Sequence, residues 1–569
     1  MNQKIATALR ELAVLYQLKG VSFKPRAFER AADAVSSLGL DVRDIYEDGG
    51  LKALESIPGV GKGIGERIEE YITTGHIKEY DRLKKVLPVD IAAITAVEGI
   101  GPKTVALLYK KLKIRTRVQL ERAAHKGTLA GIRGIGAKGQ AKILRALRYF
   151  KESGDRKLPA AIWPEIREIA DAIASWPHVK RVELVGSLRR MQESVGDLDF
   201  LAISDDASDT LGRFVSLRQV QSVYKHGEHS ALVRLAAGID ADLWVLPAES
   251  YGAALIAWTG NKAHNIHLRT LAKRKGFSLD DYGLFKGTHM VAGKSEEEVY
   301  RKLGMEFIPP EIRDDSGEIE SALKHSLPAL IGYEDLKGDL QVQTDWTDGE
   351  SSVLTMARAA QAAGLEYIAI TDHTKSLTIT HGLDERRIRK QWAEIDRVQK
   401  AVPHVKILKG TECDILKDGT LDLDDATLAH LDVVGVSVHS YMDLPEAAQT
   451  ARIIRAMENP HADILFHPTG RLIGRRSPYS VDMQAVIKVA KRTGTVLEVD
   501  ADPHRLDLKD EHVRLAVAAG VKLAIDTDAH APEHFSYLRW GIGTARRGWA
   551  QTKDVINTRP WKKVLNLLK

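Results

Sequence analysis

Two pairs of carboxylates with strand-like spacing lie in the middle of the chain. Asp197 and Asp199 open a predicted strand, and Asp240 and Asp242 repeat the i, i+2 spacing in a second one. Side chains two residues apart in a strand lie on one face, so each pair presents its oxygens together. Hard divalent cations prefer such oxygens as ligands. An Asp-x-Asp pair alone is more often solvated, but the residues upstream favour a metal-dependent site.

Those upstream residues could bind phosphate. Gly186 and Ser187 follow a predicted strand and offer backbone N–H groups and a hydroxyl, while Arg189 and Arg190 add positive charge. With two cations, such a site lowers the pKa of an attacking hydroxyl and neutralises a triphosphate. The combination predicts nucleotidyl transfer, with two Mg²⁺ or Mn²⁺ ions.

A second group of polar residues falls at the ends of predicted strands in the C-terminal part of the chain. Its members are Asp348, Asp372, His373, Glu412, His439, His467, Asp526, Asp528 and His530. In a β/α barrel the carboxyl ends of the strands converge, so these distant positions become neighbours. Mixed carboxylate and imidazole ligands suit Mn²⁺, Zn²⁺ or Fe²⁺ acting on phosphate esters. The pattern predicts a metal cluster.

The predicted elements that position these groups change along the chain. Up to about residue 150, apolar residues recur at helical spacing, which predicts an all-helical region. From about residue 158, predicted strands alternate with helices. In the last part, the predicted strands end near Gln343, Thr371, Gly410, Val438, Phe466, Val499 and Ile525. Their number and their separation by helical stretches predict a barrel of β/α units.

A glycine turn followed by a helix recurs three times in the helical region and resembles the helix-hairpin-helix motif. The turn lets two helices pack closely and points backbone N–H groups outward, where a phosphate can dock. Its candidate DNA-binding residues are Gly59, Gly61, Lys62, Gly99, Gly101, Lys103, Gly134, Gly136 and Lys138. We expect salt-sensitive, largely non-specific binding to the DNA backbone.

Charge and composition narrow the class of protein. Residues 1–150 hold 27 Lys and Arg against 16 Asp and Glu, whereas the whole chain of 569 residues holds 82 against 77. A basic N-terminal third suits a polyanion, although a solvated basic surface explains the charge equally well. No apolar run reaches the ~20 residues of a membrane span, and the single Cys413 excludes an internal disulfide and a cysteine-only metal site. We therefore expect a cytoplasmic protein that does not bind membranes.

The middle of the chain resembles the family X DNA polymerases. Gly-Ser-x-Arg-Arg stands ten residues before Gly-Asp-x-Asp, and Trp258-Thr259-Gly260-Asn261 resembles the family's aromatic-Thr-Gly turn beside the incoming sugar. The resemblance implies that Asp197, Asp199 and Asp242 are the catalytic, metal-binding carboxylates. It also implies substrate-binding roles for Gly186, Ser187, Arg189, Arg190, Trp258, Thr259, Gly260, Asn265 and Arg269. The last two match positions that contact the nascent base pair and its template strand.

Two departures from the family concern accessory properties. Ala257 stands where the family commonly has a tyrosine, which bears on the discrimination between deoxyribose and ribose. Arg67 occupies the Schiff-base lysine position of the family's small lyase domain, and Lys62 is nearby but off that position. An arginine stays protonated and has no lone pair with which to attack an aldehyde. Deoxyribose-phosphate lyase activity is therefore not expected.

The C-terminal segment resembles the PHP (polymerase and histidinol phosphatase) domain, which follows the polymerase in bacterial family X enzymes. Both histidines of the family's opening Asp-Leu-His-x-His-Thr motif are replaced, by Gln341 and Gln343. Of nine implied ligands, the chain keeps Asp348, His373, Glu412, His439, His467, Asp528 and His530. Because glutamine offers only a neutral carbonyl oxygen, we expect one of three metal ions to be weak or absent.

This departure leaves two interpretations of the barrel. It is either a residual, Mn²⁺-favouring 3′–5′ exonuclease or a scaffold that holds DNA. The first predicts that restoring histidine at 341 and 343 raises metal content and nuclease rate together.

The predicted fold is multidomain, with an all-α helix-hairpin-helix N-terminal region, an α+β nucleotidyltransferase middle and a C-terminal (β/α)7 PHP-type barrel. We expect an 8-kDa-like helical DNA-binding domain at 1–90, a fingers-like domain with helix-hairpin-helix motifs at 91–157, a palm at 158–240, the end of the palm with a thumb-like nucleotide-selection subdomain at 241–303, a linker at 304–334 and the PHP domain at 335–569.

The favoured hypothesis is a monomeric repair polymerase that fills short gaps, with gapped or primer-template DNA and dNTPs as partners. A phosphoesterase barrel with a nucleotide-sensing middle domain is the first alternative, and a non-catalytic DNA-binding scaffold is the second. Primer extension that disappears in Asp197→Ala favours the polymerase. Phosphate release without extension favours the phosphoesterase, and salt-sensitive binding without either favours the scaffold.

Overall fold

A computed structural model describes residues 1–21, 23–36, 42–57, 59–95, 97, 100–153 and 156–569. The chain divides into two compact units, one of residues 1–154 with 474–477 and one of residues 155–473 with 478–569. Among the described residues, no helix combines the length and the apolar composition that a membrane span requires.

The first unit is helical throughout its longer described segments. Its helices are α1 (Asn2–Leu18), α2 (Lys24–Ser36), α3 (Val42–Glu55), α4 (Lys62–Thr74), α5 (Lys78–Val86), α6 (Ile91–Thr95), α7 (Pro102–Leu112), α8 (Arg117–His125) and α9 (Gly136–Ser153). Ile5, Leu9 and Leu12 recur at helical spacing on α1 and are fully buried, so the apolar face of α1 forms part of the core. The prediction of an all-helical N-terminal region is confirmed.

A mixed sheet forms the middle of the chain. Its strands are β1 (Val179–Leu184), β2 (Asp197–Ser204), β3 (Val220–His226), β4 (Ser230–Leu235) and β5 (Asp240–Leu246). They follow the order β1-β2-β5-β4-β3, in which only β2 and β5 are parallel neighbours. Leu198 and Phe200 are buried under the sheet, which leaves Asp197 and Asp199 on its opposite face.

Further elements complete this middle region. The helices are α10 (Trp163–Ala174), α11 (Gly186–Arg189), α12 (Ala207–Val215), α13 (Tyr251–Thr259), α14 (Lys262–Arg274), α15 (Glu296–Lys302) and α16 (Glu318–Leu323), and a small antiparallel sheet consists of β6 (Ser278–Leu279), β7 (Leu284–Lys286) and β8 (His289–Ala292). The segment 304–334, expected to be a linker, is folded. Its buried Ile308 and Ile312 share a core with Leu268 and Tyr300, because the proline pair starts a 3-10 turn instead of an extended connection.

A parallel barrel forms the C-terminal part. Its strands are β9 (Gly338–Val342), β10 (Tyr367–Ile370), β11 (Lys406–Asp414), β12 (Val433–Ser437), β13 (Ile464–Leu465), β14 (Val496–Asp500) and β15 (Leu523–Asp526). Its helices are α17 (Val353–Ala362), α18 (Glu385–Ala401), α19 (Asp425–Leu428), α20 (Glu446–Met457), α21 (Met483–Thr493), α22 (Asp510–Ala519), α23 (Leu538–Arg547) and α24 (Trp561–Leu565). Neighbouring strands pair in chain order, and a bridge between Val342 and Ala529 joins the two ends. The predicted (β/α)7 barrel is confirmed.

One strand of the barrel differs from the prediction. The sequence places the end of the third strand near Gly410, whereas β11 continues to Asp414 because residues 410–414 pair with β12. Glu412 therefore projects from within a strand, at a fixed position, and not from the loop after it.

Helix α23 of the barrel packs against the middle region within the same unit. Arg547 Nη1 donates a hydrogen bond to the backbone carbonyl of Met191, and Trp540 meets Trp163 edge to face with 5.5 Å between ring centroids. A Cβ added at Gly543 would lie 2.8 Å from the Met191 Cε. Met191 lies two residues beyond the end of α11, so the segment that follows the Gly-Ser turn rests on the barrel.

Candidate functional site

The two carboxylate pairs meet on neighbouring strands. In the parallel pairing of β2 with β5, Asp197 lies opposite Asp240 and Asp199 opposite Asp242. The Gly-Ser turn lies directly beside them, since a Cβ at position 186 would collide with the Asp199 carboxylate. Gly186 also has a φ of +62°, a conformation that only glycine adopts readily. The structure thus brings the acids and the turn together as the sequence predicts.

The electrostatics of these acids are those of a site built for cations. Burial, followed by the charges of Asp197 and Asp242, raises the pKa of Asp199 to about 7, although Arg190 opposes the rise. Burial and the charge of Asp197 also raise the pKa of Asp242. Like charges this close disfavour one another's ionisation, and a bound cation removes that cost.

The fourth carboxylate has a partner of its own. Asp240 Oδ1 accepts a hydrogen bond from Arg234 Nη1 at 2.9 Å. Asp242, by contrast, acts electrostatically on Asp199. The geometry therefore favours Asp242 over Asp240 as the third member of the cluster.

The two arginines after the Gly-Ser turn have different surroundings. Arg190 lines the cavity beside Asp197 and Asp199, and its Nη1 donates to the Thr259 carbonyl. The substrate-binding role of Arg189 stays a prediction, and its side chain is not among those that line this cavity.

The reason is an internal ion pair. Arg189 donates to Glu296 Oε1 at 2.9 Å and to Oε2 at 2.6 Å, and also to Thr259 Oγ1 at 2.6 Å. Arg313 donates to Glu296 Oε1 at 2.7 Å. Although burial opposes it, these two arginines lower the pKa of Glu296 to about 2. No motif in the sequence indicates that Glu296 pairs with Arg189 or that Arg313 binds the same carboxylate.

A cavity of about 660 Å³ opens beside the acids. It is lined by Arg156, Gly186, Ser187, Arg190, Gln192, Asp197, Asp199, residues 257–262, Asn265, Ile266 and Arg269. The lining contains the predicted Trp258, Thr259, Gly260, Asn265 and Arg269, and also Arg156 and Lys262, which sequence patterns do not single out.

Polar atoms in the cavity wall lack partners within the chain. In the described part of the chain, the Ser187 hydroxyl, the Trp258 indole nitrogen and the Asn265 Oδ1 are buried without a hydrogen bond. Trp258 is held by stacking on Trp244, with 3.8 Å between ring centroids. Because buried polar atoms are almost always satisfied, these atoms indicate a polar ligand.

The described glycine turns of the first unit adopt the expected local geometry. Gly61 and Gly101 are the N-cap residues of α4 and α7, Gly136 begins α9, and Gly59 and Gly134 have φ values of +83° and +103°. The lysines that follow the turns, Lys62, Lys103 and Lys138, are exposed. Gly99 lies outside the described residues. At the lyase position, the Arg67 guanidinium lies 3.2 Å from Glu79 Oε2.

Six of the seven predicted barrel ligands form a compact cluster at the strand ends. Two groups of three residues could each hold one ion. The first consists of Asp348, His373 and His530, and the second consists of His373, Glu412 and His439. His467 Nε2 lies 2.7 Å from Glu412 Oε1 and extends the second group. The seventh residue, Asp528, lies at the border, where its Oδ1 is 3.8 Å from His530 Nδ1.

The acids of this cluster strongly raise the pKa values of two of its histidines. Although burial opposes it, Glu412 and Asp414 raise the pKa of His439 to about 10. In the same way Asp528 and Asp348 raise the pKa of His530 to about 10 against the effect of burial. Carboxylates that raise histidine pKa values this far also attract divalent cations. A cation that binds these histidines must displace their protons.

Both glutamines direct an amide N–H at a carboxylate, while Gln343 Oε1 is buried without a hydrogen bond among the described residues. Gln343 Nε2 donates a hydrogen bond to Glu412 Oε2 at 2.9 Å. The Gln341 amide, in the orientation that its surroundings satisfy, donates to Glu498 Oε1 at 2.5 Å. Histidines at these positions would turn lone pairs toward an ion, whereas these amides turn N–H groups toward carboxylates.

Comparison with known proteins adds three matched regions and several relatives. Residues 254–314 match the DNA polymerase beta thumb, residues 1–77 a helix-hairpin-helix domain and residues 91–148 a SAM-like helix-hairpin-helix tandem. The DNA polymerase/3′-5′ exonuclease PolX of Bacillus subtilis (strain 168) is 36% identical over 100% of both chains. DNA polymerase lambda of Arabidopsis thaliana is 26% identical over 55% of this chain and 62% of its own. A probable phosphatase of Thermoanaerobacter sp. (strain X514) is 29% identical over 37% of this chain and 84% of its own.

Proposed function

The chain belongs to the family X DNA polymerases that carry a C-terminal PHP domain, and we propose that Asp197, Asp199 and Asp242 form the catalytic centre with which it fills short gaps. It is a DNA-directed DNA polymerase of the repair type, and its substrates are DNA and dNTPs. The observation that supports the assignment of the centre is the parallel register of β2 and β5, in which Asp197 pairs with Asp240 and Asp199 with Asp242, with Gly186 against the Asp199 carboxylate.

The donor set fits divalent metal ions. Three carboxylates form an all-oxygen site, and burial followed by mutual repulsion raises the pKa values of two of them. We assign Mg²⁺ or Mn²⁺ to it. Bound there, the ions would lower the pKa of the primer 3′-hydroxyl and neutralise charge on the triphosphate.

The remaining cavity residues bind and orient the nucleotide. Arg190, next to the acids, is placed to bind a triphosphate oxygen, and the unpartnered Ser187 hydroxyl can donate to another. Trp258 and the turn after it line the side of the cavity where the sugar of the nucleotide would lie. Asn265 and Arg269, one turn apart on α14, face the same cavity and would meet the base pair.

DNA binding is assigned to the helical first unit. Exposed lysines stand at the helix N-termini that follow the glycine turns, where backbone N–H groups and positive charge together favour phosphate. We propose that 1–90 and 91–157 are separate DNA-binding modules. The polymerase part spans 158–303, and the folded segment 304–334 extends its thumb-like core. The PHP domain begins near 335, and the protein acts as a monomer.

Primer extension on gapped DNA tests the catalytic assignment. Asp197→Ala should abolish extension, with a loss of at least about 10³-fold, because it removes one of the three carboxylates that would hold the ions. The matched control is Asp205→Ala, which removes an exposed carboxylate just beyond the same strand, ion-paired with Lys180 at 2.6 Å. Asp205→Ala should extend like the wild type. Equal extension by Asp197→Ala would contradict the assignment.

A second activity is assigned to the barrel. Its clustered histidines and carboxylates, and the presence of 3′-5′ exonuclease in the name of the Bacillus relative, support weak, Mn²⁺-favouring removal of 3′ nucleotides. Digestion of a 5′-labelled primer should persist in Asp197→Ala and disappear in His439→Ala. Digestion that survives His439→Ala would contradict this assignment and leave the barrel as a scaffold for DNA.

A further inference from the structure

One side of the barrel cluster is already electrically neutralised by the protein. The two histidine-rich groups use six of the nine positions at which the family has ligands. The three positions left over are Gln341, Gln343 and Asp528. A third ion would have to bind there, and these residues with their neighbours show whether it can.

Acidic side chains are dense on this side of the barrel. Glu498 and Asp500, two residues apart on β14, are fully buried, and Asp528 is 7% exposed. Buried carboxylates are costly unless a cation or several hydrogen bonds compensate them. A positive charge next to these residues would lower that cost.

Arg505 supplies that charge. Its Nε lies 3.3 Å from Asp500 Oδ2 and 3.7 Å from Asp528 Oδ2, and its side chain is 17% exposed. Burial opposes its ionisation, but Asp500, Asp528, Asp502 and Glu412 raise its pKa further above its ordinary value. The loop after β14 fixes its place, since Arg505 N donates to Asp502 O at 2.7 Å and Asp500 N to Asp507 O at 2.6 Å.

The glutamines complete the compensation. Gln343 donates to Glu412, the carboxylate of the second histidine-rich group, and Gln341 donates to Glu498. Each amide N–H thus donates a hydrogen bond to a carboxylate, from a position at which the family has a metal-binding imidazole. The glutamines that replace the two histidines and the guanidinium of Arg505 therefore act together to compensate the carboxylates on this side of the barrel.

We propose that the Arg505 guanidinium replaces the third metal ion of the barrel, so that the barrel binds divalent transition cations only at Asp348, His373 and His530 and at Glu412, His439 and His467. The inference rests on the proposed metal dependence of the barrel. A guanidinium neutralises carboxylates but has no open coordination position, so it cannot activate a water. Any hydrolysis in this barrel must use the two histidine-rich groups.

Counting bound metal in the full chain tests the proposal. Asp197→Ala and Asp199→Ala are introduced into every protein, so that ions of the polymerase site are not counted. After equilibrium dialysis against Mn²⁺, elemental analysis should give about two ions per chain. The double substitution Gln341→His with Gln343→His should still give about two, because Arg505 repels a third ion, in place of the rise in metal content that the two positions alone predict. Adding Arg505→Gln to that pair should raise the count to about three.

A charge control and a stability measurement keep the test independent of nuclease activity. Arg505→Lys in place of Arg505→Gln keeps a cation and should leave the count at about two. The protein with all three exchanges should show the largest gain in Tm on adding Mn²⁺, since only there an ion replaces a missing charge. If the variant carrying Arg505→Gln does not fold, the counts for the other proteins still decide.

The outcomes separate the two proposals. Three ions in the protein with unchanged barrel, or a third ion gained with Arg505 in place, would overturn the role of Arg505 alone. A count that stays at two in the protein with all three exchanges would do the same. No bound ion at all would overturn both the metal dependence of the barrel and the role of Arg505, whereas two ions without nuclease activity would remove only the proposed exonuclease.

Discussion

Asp199 combines burial with two like-charged neighbours, and its pKa of about 7 has a measurable consequence for stability. In the unfolded chain an aspartate ionises near pH 4, so between about pH 4 and 7 the folded state holds a proton that the unfolded state has lost. The free energy of unfolding should therefore fall as pH rises through this window and level off above it.

We expect Asp199→Asn to remove this dependence. In EDTA, the free energy of unfolding of the wild type should fall relative to Asp199→Asn by on the order of 2 kcal/mol between pH 4.5 and 7.5. Denaturant titrations at several pH values measure it, with Asp205→Asn as the exposed control. A constant difference between wild type and Asp199→Asn across the window would contradict the raised pKa.

Single residues also show where sequence reasoning stops. The i, i+2 spacing predicted the faces of Asp197 and Asp199, because strand geometry fixes them. Whether Arg189 or Arg190 faces the cavity could not be predicted, since both follow the same turn. The choice depends on Glu296, more than a hundred residues away, which binds Arg189 from a different helix.

Helix α15 connects separate elements through one side chain. Glu296 begins α15 and accepts hydrogen bonds from Arg189 on α11 and from Arg313 in the segment 304–334. Glu296→Ala would leave the buried Arg313 and the partly buried Arg189 guanidinium groups without their carboxylate, and should lower the free energy of unfolding by about 3–5 kcal/mol. Glu297→Ala, which removes the exposed neighbour, should cost under about 0.5 kcal/mol. Chemical denaturation of both variants tests this, and equal effects would contradict the role of Glu296.

Lys103, at the start of α7, tests the glycine turns as phosphate-binding elements. Lys103→Ala should weaken binding to gapped DNA several-fold and reduce the slope of log affinity against log salt by about 1, whatever the DNA sequence. The control is Lys302→Ala on α15, which should leave the slope unchanged. Fluorescence anisotropy at several salt concentrations measures both. An unchanged slope in Lys103→Ala would show that this turn does not contact phosphate.

Elements were predictable where one local rule sufficed. Helical periodicity predicted α1, and alternation of strands and helices predicted the barrel. The segment 304–334 was predicted as a linker because its prolines and charges are typical of a connection. Its folding depends on Ile308 and Ile312 entering a core made by residues far along the chain.

At the scale of the molecule, the polymerase part packs against the barrel within the second unit, around Met191 and Trp540. Gly543→Ala on α23 should push Met191, and with it the chain after α11, so primer extension should fall although the substitution lies in the barrel. Gly541→Ala on the same helix meets Ala501 and Ile525 of the barrel and should leave extension unchanged in the folded protein. Primer extension by both variants, at matched folded fraction, distinguishes them, and equal rates would contradict the coupling.

The contact between α23 and Met191 also limits how this protein can be recombined. A chimaera that takes its polymerase part from one relative and its barrel from another inherits Met191 and Gly543 from different parents, and the two surfaces no longer match in shape. Exchanges should succeed when the residues around α23 are transplanted with the polymerase part that they support. For the same reason, a fragment that ends before residue 335 would expose apolar surface around Met191, near the cavity beside Asp197 and Asp199. Aggregation of such a fragment would therefore say little about the chemistry of the full chain.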